Sequence, residues 1–295
     1  MAKKTIFTGA GVAITTPFTK DDKINYPVYD SMIEYQISNK TDAIVVCGTT
    51  GESSTLTDDE HKEIIKHTVD YVAGRVPVIA GTGSNETAYA LELSEYAEKA
   101  GADAILMVTP YYNKTTQKGL VAHYFHIADR VNVPMILYNV PGRTGMNIKP
   151  ETYKELSKHQ NIVAVKEANG DVCSTIRTID LCGDDLDVYS GEDGLITPML
   201  SVGAKGVISV LSNIVPRQTH DICELFFNGK VAESAALQTK LIKLVDALFM
   251  ETNPIPVKTA QNIIGIDVGH LRLPLTDMTE ENFIKLKNIL KEYGF

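Results

Sequence analysis

Hydrophobic residues in the first two thirds of the chain come in short runs, separated by longer amphipathic stretches. Short runs of branched apolar residues are typical of strands buried on both faces, as in a parallel sheet. The intervening stretches have the spacing of amphipathic helices. The pattern predicts eight strands, over residues 11–16, 43–47, 76–80, 104–108, 134–138, 162–165, 187–190 and 207–211.

Helix boundaries carry their own signals. Thr57 and Glu60 form a capping-box pattern at the start of a predicted helix over 58–73. Gly74 and Gly101 follow the apolar periods of two predicted helices and are suited to end them. Strands and helices therefore alternate regularly, as in repeated βα units.

Eight βα units predict an α/β fold, a (β/α)8 TIM barrel, because parallel strands with helical crossovers close readily at this number. A doubly wound open sheet is the alternative. The turn over 81–84 lacks the third glycine of a dinucleotide-binding fingerprint, and no phosphate-binding P-loop motif occurs. The barrel is thus the preferred prediction.

After Gly229 the strand pattern stops, and the remaining residues have helical periods. Helices are predicted over 231–250, 255–264 and 279–290, with prolines at 254 and 256 breaking the first from the second. We therefore expect a catalytic barrel over 1–229 and a C-terminal helical domain over 230–295.

Composition narrows the class of protein. The 28 basic residues are outnumbered by 37 acidic ones, and the chain has no basic tract, which argues against nucleic-acid binding. No apolar run is long enough to span a bilayer. The four cysteines are far apart and form no CxxC pair, so reduced thiols are expected rather than disulfides or a zinc site. We expect a cytoplasmic enzyme without a metal.

Lys166 stands in the run Ile162-Val163-Ala164-Val165-Lys166, where one primary amine interrupts a predicted buried strand. Burial disfavours the charged form of an amine, and a neutral amine can attack a ketone to form a Schiff base. A lysine at a strand end can also simply extend to water. The segment alone leaves both interpretations open.

Other reactive side chains are predicted at the same rim, because active sites of TIM barrels lie at the C-terminal ends of the strands. Thr49 and Thr50 lie in a glycine-flanked turn whose hydroxyls and N–H groups suit a carboxylate. Tyr138 ends a strand and could exchange a proton, although many buried tyrosines only pack. Arg143 lies in a glycine-flanked loop and could bind a second carboxylate in bidentate fashion, although a lone arginine in a loop is usually only solvated.

These motifs, in this order, resemble those of the dihydrodipicolinate synthase (4-hydroxy-tetrahydrodipicolinate synthase) family of class I pyruvate-dependent aldolases. The resemblance covers essentially the whole chain. It is carried by the segments 48–52, 138–145, 165–168, 190–193, 206–209, 253–258 and 272–275.

The resemblance implies condensation of pyruvate with aspartate 4-semialdehyde, in the diaminopimelate route to lysine, without a metal or organic cofactor. Lys166 would form the Schiff base, and Tyr138, Thr49 and Tyr112 would relay protons. Tyr112 would act in the site of a neighbouring subunit of a homotetramer built as a dimer of dimers.

The resemblance also assigns the binding residues. Thr49 and Thr50 would hold the pyruvate carboxylate, and Gly191 and Ile208 would line the pocket. Arg143 would bind the carboxylate of the aldehyde substrate.

Two other functions remain to be weighed. A sibling lyase for N-acetylneuraminate or a 2-keto-3-deoxy sugar acid would share Lys166 and Tyr138. Such a lyase would need a hydroxyl-rich pocket for the sugar. Arg143 instead suits a short carboxylated aldehyde. A barrel that only binds a keto acid would need no buried amine beside a tyrosine.

The resemblance extends to a regulatory site for lysine, with departures. His61, Asn85 and Tyr111 match the family pattern, whereas Asp58 and Tyr89 replace a histidine and a glutamate. Without that glutamate the ammonium group of lysine has lost its natural partner. We therefore predict weak or absent inhibition by lysine.

Overall fold

The computed structural model describes residues 3–295 and forms a closed barrel of eight parallel strands. The first strand pairs with the second and with the eighth, which closes the sheet. The TIM-barrel prediction is confirmed, and the open doubly wound sheet is wrong. The strands are β1 (Gly9–Ala13), β2 (Ala43–Val46), β3 (Val78–Gly81), β4 (Ala104–Val108), β5 (Met135–Asn139), β6 (Ile162–Glu167), β7 (Asp187–Ser190) and β8 (Gly206–Ser209).

Twelve α-helices accompany the strands within residues 3–295. None of them is long and apolar enough to cross a membrane. The helices are α1 (Tyr26–Ser38), α2 (Asp58–Val72), α3 (Thr87–Ala100), α4 (Gln117–Ala128), α5 (Pro141–Thr144), α6 (Pro150–Leu156), α7 (Val172–Cys182), α8 (Ile196–Ser201), α9 (Pro216–Phe227), α10 (Val231–Leu248), α11 (Ile255–Ile263) and α12 (Glu280–Glu292).

The helix ends follow their sequence signals. The Thr57 hydroxyl accepts from the Glu60 N–H, and the Glu60 carboxylate accepts from the Thr57 N–H, which completes the predicted capping box of α2. Gly101 ends α3 in the left-handed conformation, as predicted. At the end of α2 both Ala73 and the predicted Gly74 have positive φ, 49° and 73°.

The first strand is shifted from its prediction, running over Gly9–Ala13 instead of 11–16. The Ile14 N–H still donates to the Val45 carbonyl at 3.2 Å, and from Thr15 onward side chains take part in the hydrogen bonding. The Thr15 N–H donates to Asn213 Oδ1 at 3.3 Å, and the Thr16 hydroxyl donates to the Gly51 carbonyl at 2.7 Å. Apolar pattern alone could not locate this change of partners.

Three packed layers organise the core. All eight strands contribute to the barrel interior, including Ala13, Val45, Ile79, Leu106, Tyr138, Ala164, Tyr189 and Ile208. A second cluster lies between the strands and the surrounding helices. A third joins α10, α11 and α12 to the β1 and β8 side of the barrel. The predicted C-terminal helical extension is therefore present and packs against the barrel.

Candidate active site

A cavity of about 380 Å³ opens at the C-terminal ends of the strands, where barrel active sites lie. One wall consists of strand ends and βα loops, and the other is the C-terminal part of α10 with the segment after it. The cavity is lined by Thr49, Thr50, Tyr138, Val140, Arg143, Lys166, Ala168, Gly191, Glu192, Asp193, Gly194, Val210, Ile242, Val245, Asp246, Phe249 and Asn253.

Lys166 lies in this cavity with its side chain almost entirely buried, at 6% exposure. It pairs in register with Tyr138 on β5, and its Nζ lies 4.4 Å from the centroid of the Tyr138 ring. Lys166 takes part in none of the ion pairs formed by residues 3–295. The amine is therefore held beside a phenol without a carboxylate partner, as a nucleophile requires.

A register irregularity in β6 directs Lys166 inward. Met135 pairs with Ile162, but the next residue of β5, Ile136, pairs with Ala164. Val163 and Ala164 both belong to the interior cluster, whereas strand side chains normally alternate between faces. The extra residue shifts the alternation of inward and outward side chains by one position. The side chain of Lys166 therefore points into the barrel.

The loop after β2 presents Thr49 and Thr50 to the cavity. Within the turn, the N–H of Gly51 donates to the Gly48 carbonyl and the N–H of Glu52 donates to the Thr49 carbonyl. Neither bond uses the N–H of Thr49 or Thr50, which leaves two hydroxyls and two amides for a carboxylate. Thr50 is fixed further because its hydroxyl accepts from Asn253 Nδ2 at 3.0 Å.

Gly51 has a packing reason to be glycine. A Cβ there would lie 3.1 Å from the Ile14 carbonyl oxygen. Glycine at this position therefore allows the turn to lie close to the backbone after β1.

Arg143 lies in the four-residue helix α5 and lines the cavity from its exposed edge. Its guanidinium donates to the carbonyl of Asn253 at 3.0 Å. The remaining donors of the fork stay available for an anion entering from solvent. Asn253 thus orders both Thr50 and Arg143, a role that the sequence did not predict.

Gly191 lines the cavity. A Cβ at this position would lie 2.7 Å from the Ala168 Cβ and 3.0 Å from the Glu167 carbonyl oxygen, so the chain has no room for a side chain. Ile208 lies in the barrel interior with 1% exposure, but Val210, two residues later, lines the cavity.

Tyr112 is not in the cavity. Its side chain is 91% exposed, and its backbone φ is 68°, in the left-handed region that non-glycine residues seldom adopt. The strained backbone directs a large aromatic side chain to the surface.

Asp193 is a buried carboxylate of the cavity wall that sequence reasoning missed. Its Oδ2 accepts from the N–H groups of Val210 and Leu211, both at 2.9 Å, while its Oδ1 has no partner among the described residues. Burial raises the pKa of this carboxyl, and hydrogen bonds from Ser209, Leu211 and Val210 oppose that shift more than the nearby Lys166 charge does.

A second cavity, of about 440 Å³, shares Thr49, Val140 and Arg143 with the first. His61, Tyr89 and Tyr111 are among its other lining residues. Part of the proposed lysine site therefore converges in space.

Polar residues around this second cavity are already paired. The Tyr89 hydroxyl donates to Asp58 at 2.9 Å, and Lys62 forms an ion pair with the same carboxylate at 2.7 Å. His61 Nε2 lies 2.8 Å from the Gly81 carbonyl oxygen. The Asp58 carboxylate is thus satisfied within the chain.

His220, Asp221 and Glu224 form the one cluster among residues 3–295 with metal-ligand spacing. Two of its members already have close partners, because Nδ1 of His220 lies 2.8 Å from Asp42 and Asp221 pairs with Arg217 at 2.7 Å. The cluster lies outside the lining of either cavity described above.

A parallel barrel whose rim holds a buried, unpaired lysine against a tyrosine, beside a loop suited to a carboxylate, defines a barrel of the Schiff-base aldolase class. The model of the dihydrodipicolinate synthetase family matches residues 6–293. The chain belongs to that family.

Relatives agree with this assignment over nearly full length. A protein of Acetivibrio thermocellus named 4-hydroxy-tetrahydrodipicolinate synthase is 56% identical, with 99% of each chain covered. The dihydrodipicolinate synthase of Thermotoga maritima superposes with a TM-score of 0.96 at 43% identity, covering 98% of this chain and 99% of the other. The chloride-inhibited dihydrodipicolinate synthase of Acinetobacter baumannii, solved in complex with pyruvate, gives the same TM-score, identity and coverage.

Proposed function

We propose that the chain is a 4-hydroxy-tetrahydrodipicolinate synthase, which condenses pyruvate with L-aspartate 4-semialdehyde through a Schiff base on Lys166. The observation that carries the proposal is the buried Lys166 amine, 4.4 Å from the centre of the Tyr138 ring and free of any carboxylate ion pair among the described residues. Family membership and the names of the relatives support the same activity.

The covalent chemistry begins when the neutral Lys166 amine attacks the ketone carbon of pyruvate. Tyr138, lying against the amine, delivers a proton to the carbinolamine hydroxyl, which leaves as water and forms the iminium. The iminium draws electrons from the adjacent methyl group, so that carbon loses a proton and becomes an enamine. No cofactor is needed, because the protonated imine is the electron sink.

Carbon–carbon bond formation follows. The enamine carbon attacks the aldehyde carbon of the semialdehyde, and the aldehyde oxygen takes a proton to become the 4-hydroxyl. The amino group of the same substrate then attacks the iminium carbon, closing the ring and expelling the Lys166 amine. In the proposed relay Thr49 and Tyr112 pass protons between Tyr138 and solvent.

Substrate carboxylates are assigned by charge and donor geometry. Thr49 and Thr50 would hold the pyruvate carboxylate, because both residues line the cavity and offer hydroxyls and backbone N–H groups. Arg143 would bind the carboxylate of the semialdehyde at the open edge. Gly191 and Ile208 would shape the pyruvate pocket, Gly191 at its wall and Ile208 from beneath.

A complete site would need a second subunit. The exposed Tyr112 would insert into a neighbour's site, which requires at least a dimer, and we propose a homotetramer of two such dimers. A cytoplasmic location and the division of the chain at 229/230 are further parts of the proposal.

The sugar-acid lyase is less well supported by this cavity. Ile242, Val245 and Phe249 give the α10 wall an apolar surface, and Val140 and Val210 add apolar surface on the opposite wall. A polyhydroxylated substrate would leave several hydroxyls without partners there, at a cost of about 1–3 kcal/mol for each one buried. A barrel that only binds a keto acid would not need the amine beside the phenol.

The test is borohydride reduction in the presence of pyruvate, followed by peptide mapping. The proposal expects a reduced pyruvate adduct, a 1-carboxyethyl group on Nζ, in the peptide containing Lys166, and turnover of pyruvate with aspartate 4-semialdehyde. Turnover of N-acetylneuraminate or keto-deoxy-gluconate alone would retain the Schiff base and overturn the substrate assignment. An unmodified Lys166 would overturn the mechanism, and with it the assignment as a synthase.

A further inference from the structure

The residues that follow Tyr138 and Lys166 form a second pair on the opposite face of the same two strands. Asn139 pairs in register with Glu167, one step beyond the Tyr138 and Lys166 pair. Successive strand residues point to opposite faces, so Asn139 and Glu167 lie behind the catalytic pair. Both are buried, at 0% and 6% exposure.

A connected set of hydrogen bonds holds this second pair. Asn139 Nδ2 donates to Glu167 Oε1 at 2.8 Å, and the N–H of Asn169 donates to the same oxygen at 3.1 Å. The Tyr153 hydroxyl of α6 donates to Oε2 at 2.8 Å. Asn139 is itself oriented by the N–H of Ile148, which donates to its Oδ1 at 3.1 Å.

The position of this second pair is important because the pairing of β5 with β6 is irregular nearer the start of both strands. On β6, Val163 has no partner on β5. The pairing of Met135 with Ile162 therefore does not determine the pairing at Lys166. A slip of one residue in a strand moves every side chain to the other face. Some interaction near the catalytic end must therefore select the register that places Lys166 beside Tyr138.

We propose that Asn139 and Glu167 are positioning residues whose side-chain hydrogen bond fixes Lys166 against Tyr138 for imine formation. The inference deepens the proposed function and rests on it, because it concerns the same Lys166 chemistry. Neither residue lines the cavity, so neither is a catalytic residue. Their effect is on the rate of attack, since a displacement of about 1 Å between reacting groups can slow a step roughly 100-fold.

The test exchanges the polarity of the pair. Asn139→Asp removes the amide donor to Glu167 and places a second carboxyl opposite it, and the two repel when both are ionised, so the assays are run at pH 8, above the Glu167 pKa of about 7. We expect kcat and the rate of borohydride-trapped imine formation to fall roughly 10- to 100-fold, with KM for pyruvate little changed. Adding Glu167→Gln to this variant restores a donor that faces the introduced carboxylate, and the amide oxygen can still accept from Tyr153, but the Asn169 N–H loses its acceptor. The double variant should therefore recover part of the lost rate.

Asp187→Asn is the matched control. It removes a partly buried carboxylate at the opposite, N-terminal end of the neighbouring strand β7 and should leave kcat unchanged. If Asn139→Asp does not fold, Asn139→Leu removes the donor without adding a charge and carries the same expected fall in rate.

The outcomes separate this inference from the proposed function. A folded Asn139 variant that traps pyruvate at the wild-type rate would overturn the positioning role alone. A loss of rate that the Glu167→Gln exchange does not rescue, accompanied by an equal loss of thermal stability, would overturn it as well. Absence of any adduct in the wild-type chain would overturn the proposed function and this inference together.

Discussion

Two buried lysines in this chain occupy similar surroundings and differ in their partners. Lys166 in the barrel rim and Lys258 in α11 are 6% and 0% exposed. Each ammonium lies 4.4 Å from the centre of an aromatic ring, Tyr138 for the first and Phe18 for the second. Burial and a neighbouring ring therefore do not distinguish them.

The two lysines differ in their hydrogen-bond partners. Lys258 forms an ion pair with the fully buried Glu52 at 2.7 Å and donates to the His270 carbonyl at 2.6 Å. Burial lowers the pKa of Lys258, and the Glu52 charge opposes that shift. Lys166 lacks any such ion pair among residues 3–295. A buried amine is therefore a candidate nucleophile only where no carboxylate forms an ion pair with it.

The largest effect should come from Lys166→Arg. The variant keeps a positive charge, but a guanidinium stays protonated and cannot form an imine. We expect nearly complete loss of turnover, with a fold intact by circular dichroism. Appreciable activity in steady-state assays would show that Lys166 is not the nucleophile. The absence of an ion pair would then not distinguish Lys166 from Lys258 in function.

Tyr138→Phe should have the next largest effect. The variant keeps the ring beside the Lys166 ammonium and removes only the hydroxyl, so pyruvate binding should persist. Turnover should fall by roughly 10²–10⁴, the contribution of general acid–base catalysis. A wild-type kcat would remove Tyr138 from the proton relay and leave it with a packing role, like that of Phe18 beside Lys258.

Lys258→Met should act on stability rather than on chemistry. It leaves the Glu52 carboxylate buried and unpaired, which typically costs about 3–5 kcal/mol of unfolding free energy. Denaturant titration measures the loss, and the double variant Glu52→Gln with Lys258→Met should recover most of it. Borohydride should still label Lys166 in the folded variant; failure to label it would mean that the two lysines are functionally coupled.

Glu167, next to Lys166, predicts a pH dependence of stability. Burial raises the pKa of this carboxyl from 4.5 to about 7, against its hydrogen bonds from Tyr153 and Asn139. The folded state therefore binds the proton more tightly than the unfolded chain. The stabilisation is complete below about pH 4.5 and is lost as pH rises through about 7, by on the order of 3 kcal/mol.

Glu167→Gln should remove that dependence. The free energy of unfolding of the variant, measured between pH 5 and pH 8 by denaturant titration, should fall less with rising pH than that of the wild type. Parallel curves for the two proteins would contradict the raised pKa.

The smallest effect is expected from added lysine. Asp58 is already paired with Lys62 and Tyr89, so an incoming ammonium group finds no free carboxylate from that residue. An activity titration should show weak or no inhibition. Submillimolar inhibition would contradict this prediction, and Tyr89→Glu is the variant in which stronger inhibition is expected.

The sequence was informative where a feature is local and repeated. All eight strands and the capping box of α2 follow from the apolar pattern and from Thr57 and Glu60, because these depend on neighbours in sequence. The apolar pattern also located Lys166 and Tyr138 on strands, but it could not show that an irregularity at Val163 brings them into register.

Contacts between distant segments were not predictable in this way. The bond from Asn253 to Thr50 joins residues 203 positions apart, and Asp193 reaches the backbone just after β8 across a whole βα unit. Nothing in the local sequence marks either residue, because Asp193 follows Gly191-Glu192 and Asn253 follows Glu251-Thr252. The same limit applies to Lys258, whose burial was missed because it lies in a helix.

The α10 wall of the cavity has a consequence for how new activities could arise on this scaffold. Ile242, Val245 and Phe249 line the cavity from a part of the chain about 80 residues after Lys166. Random changes in that one segment would reshape the space for the acceptor aldehyde and leave the amine and phenol untouched. A library restricted to these three positions, screened against a panel of aldehydes, is the most direct route to altered acceptor scope.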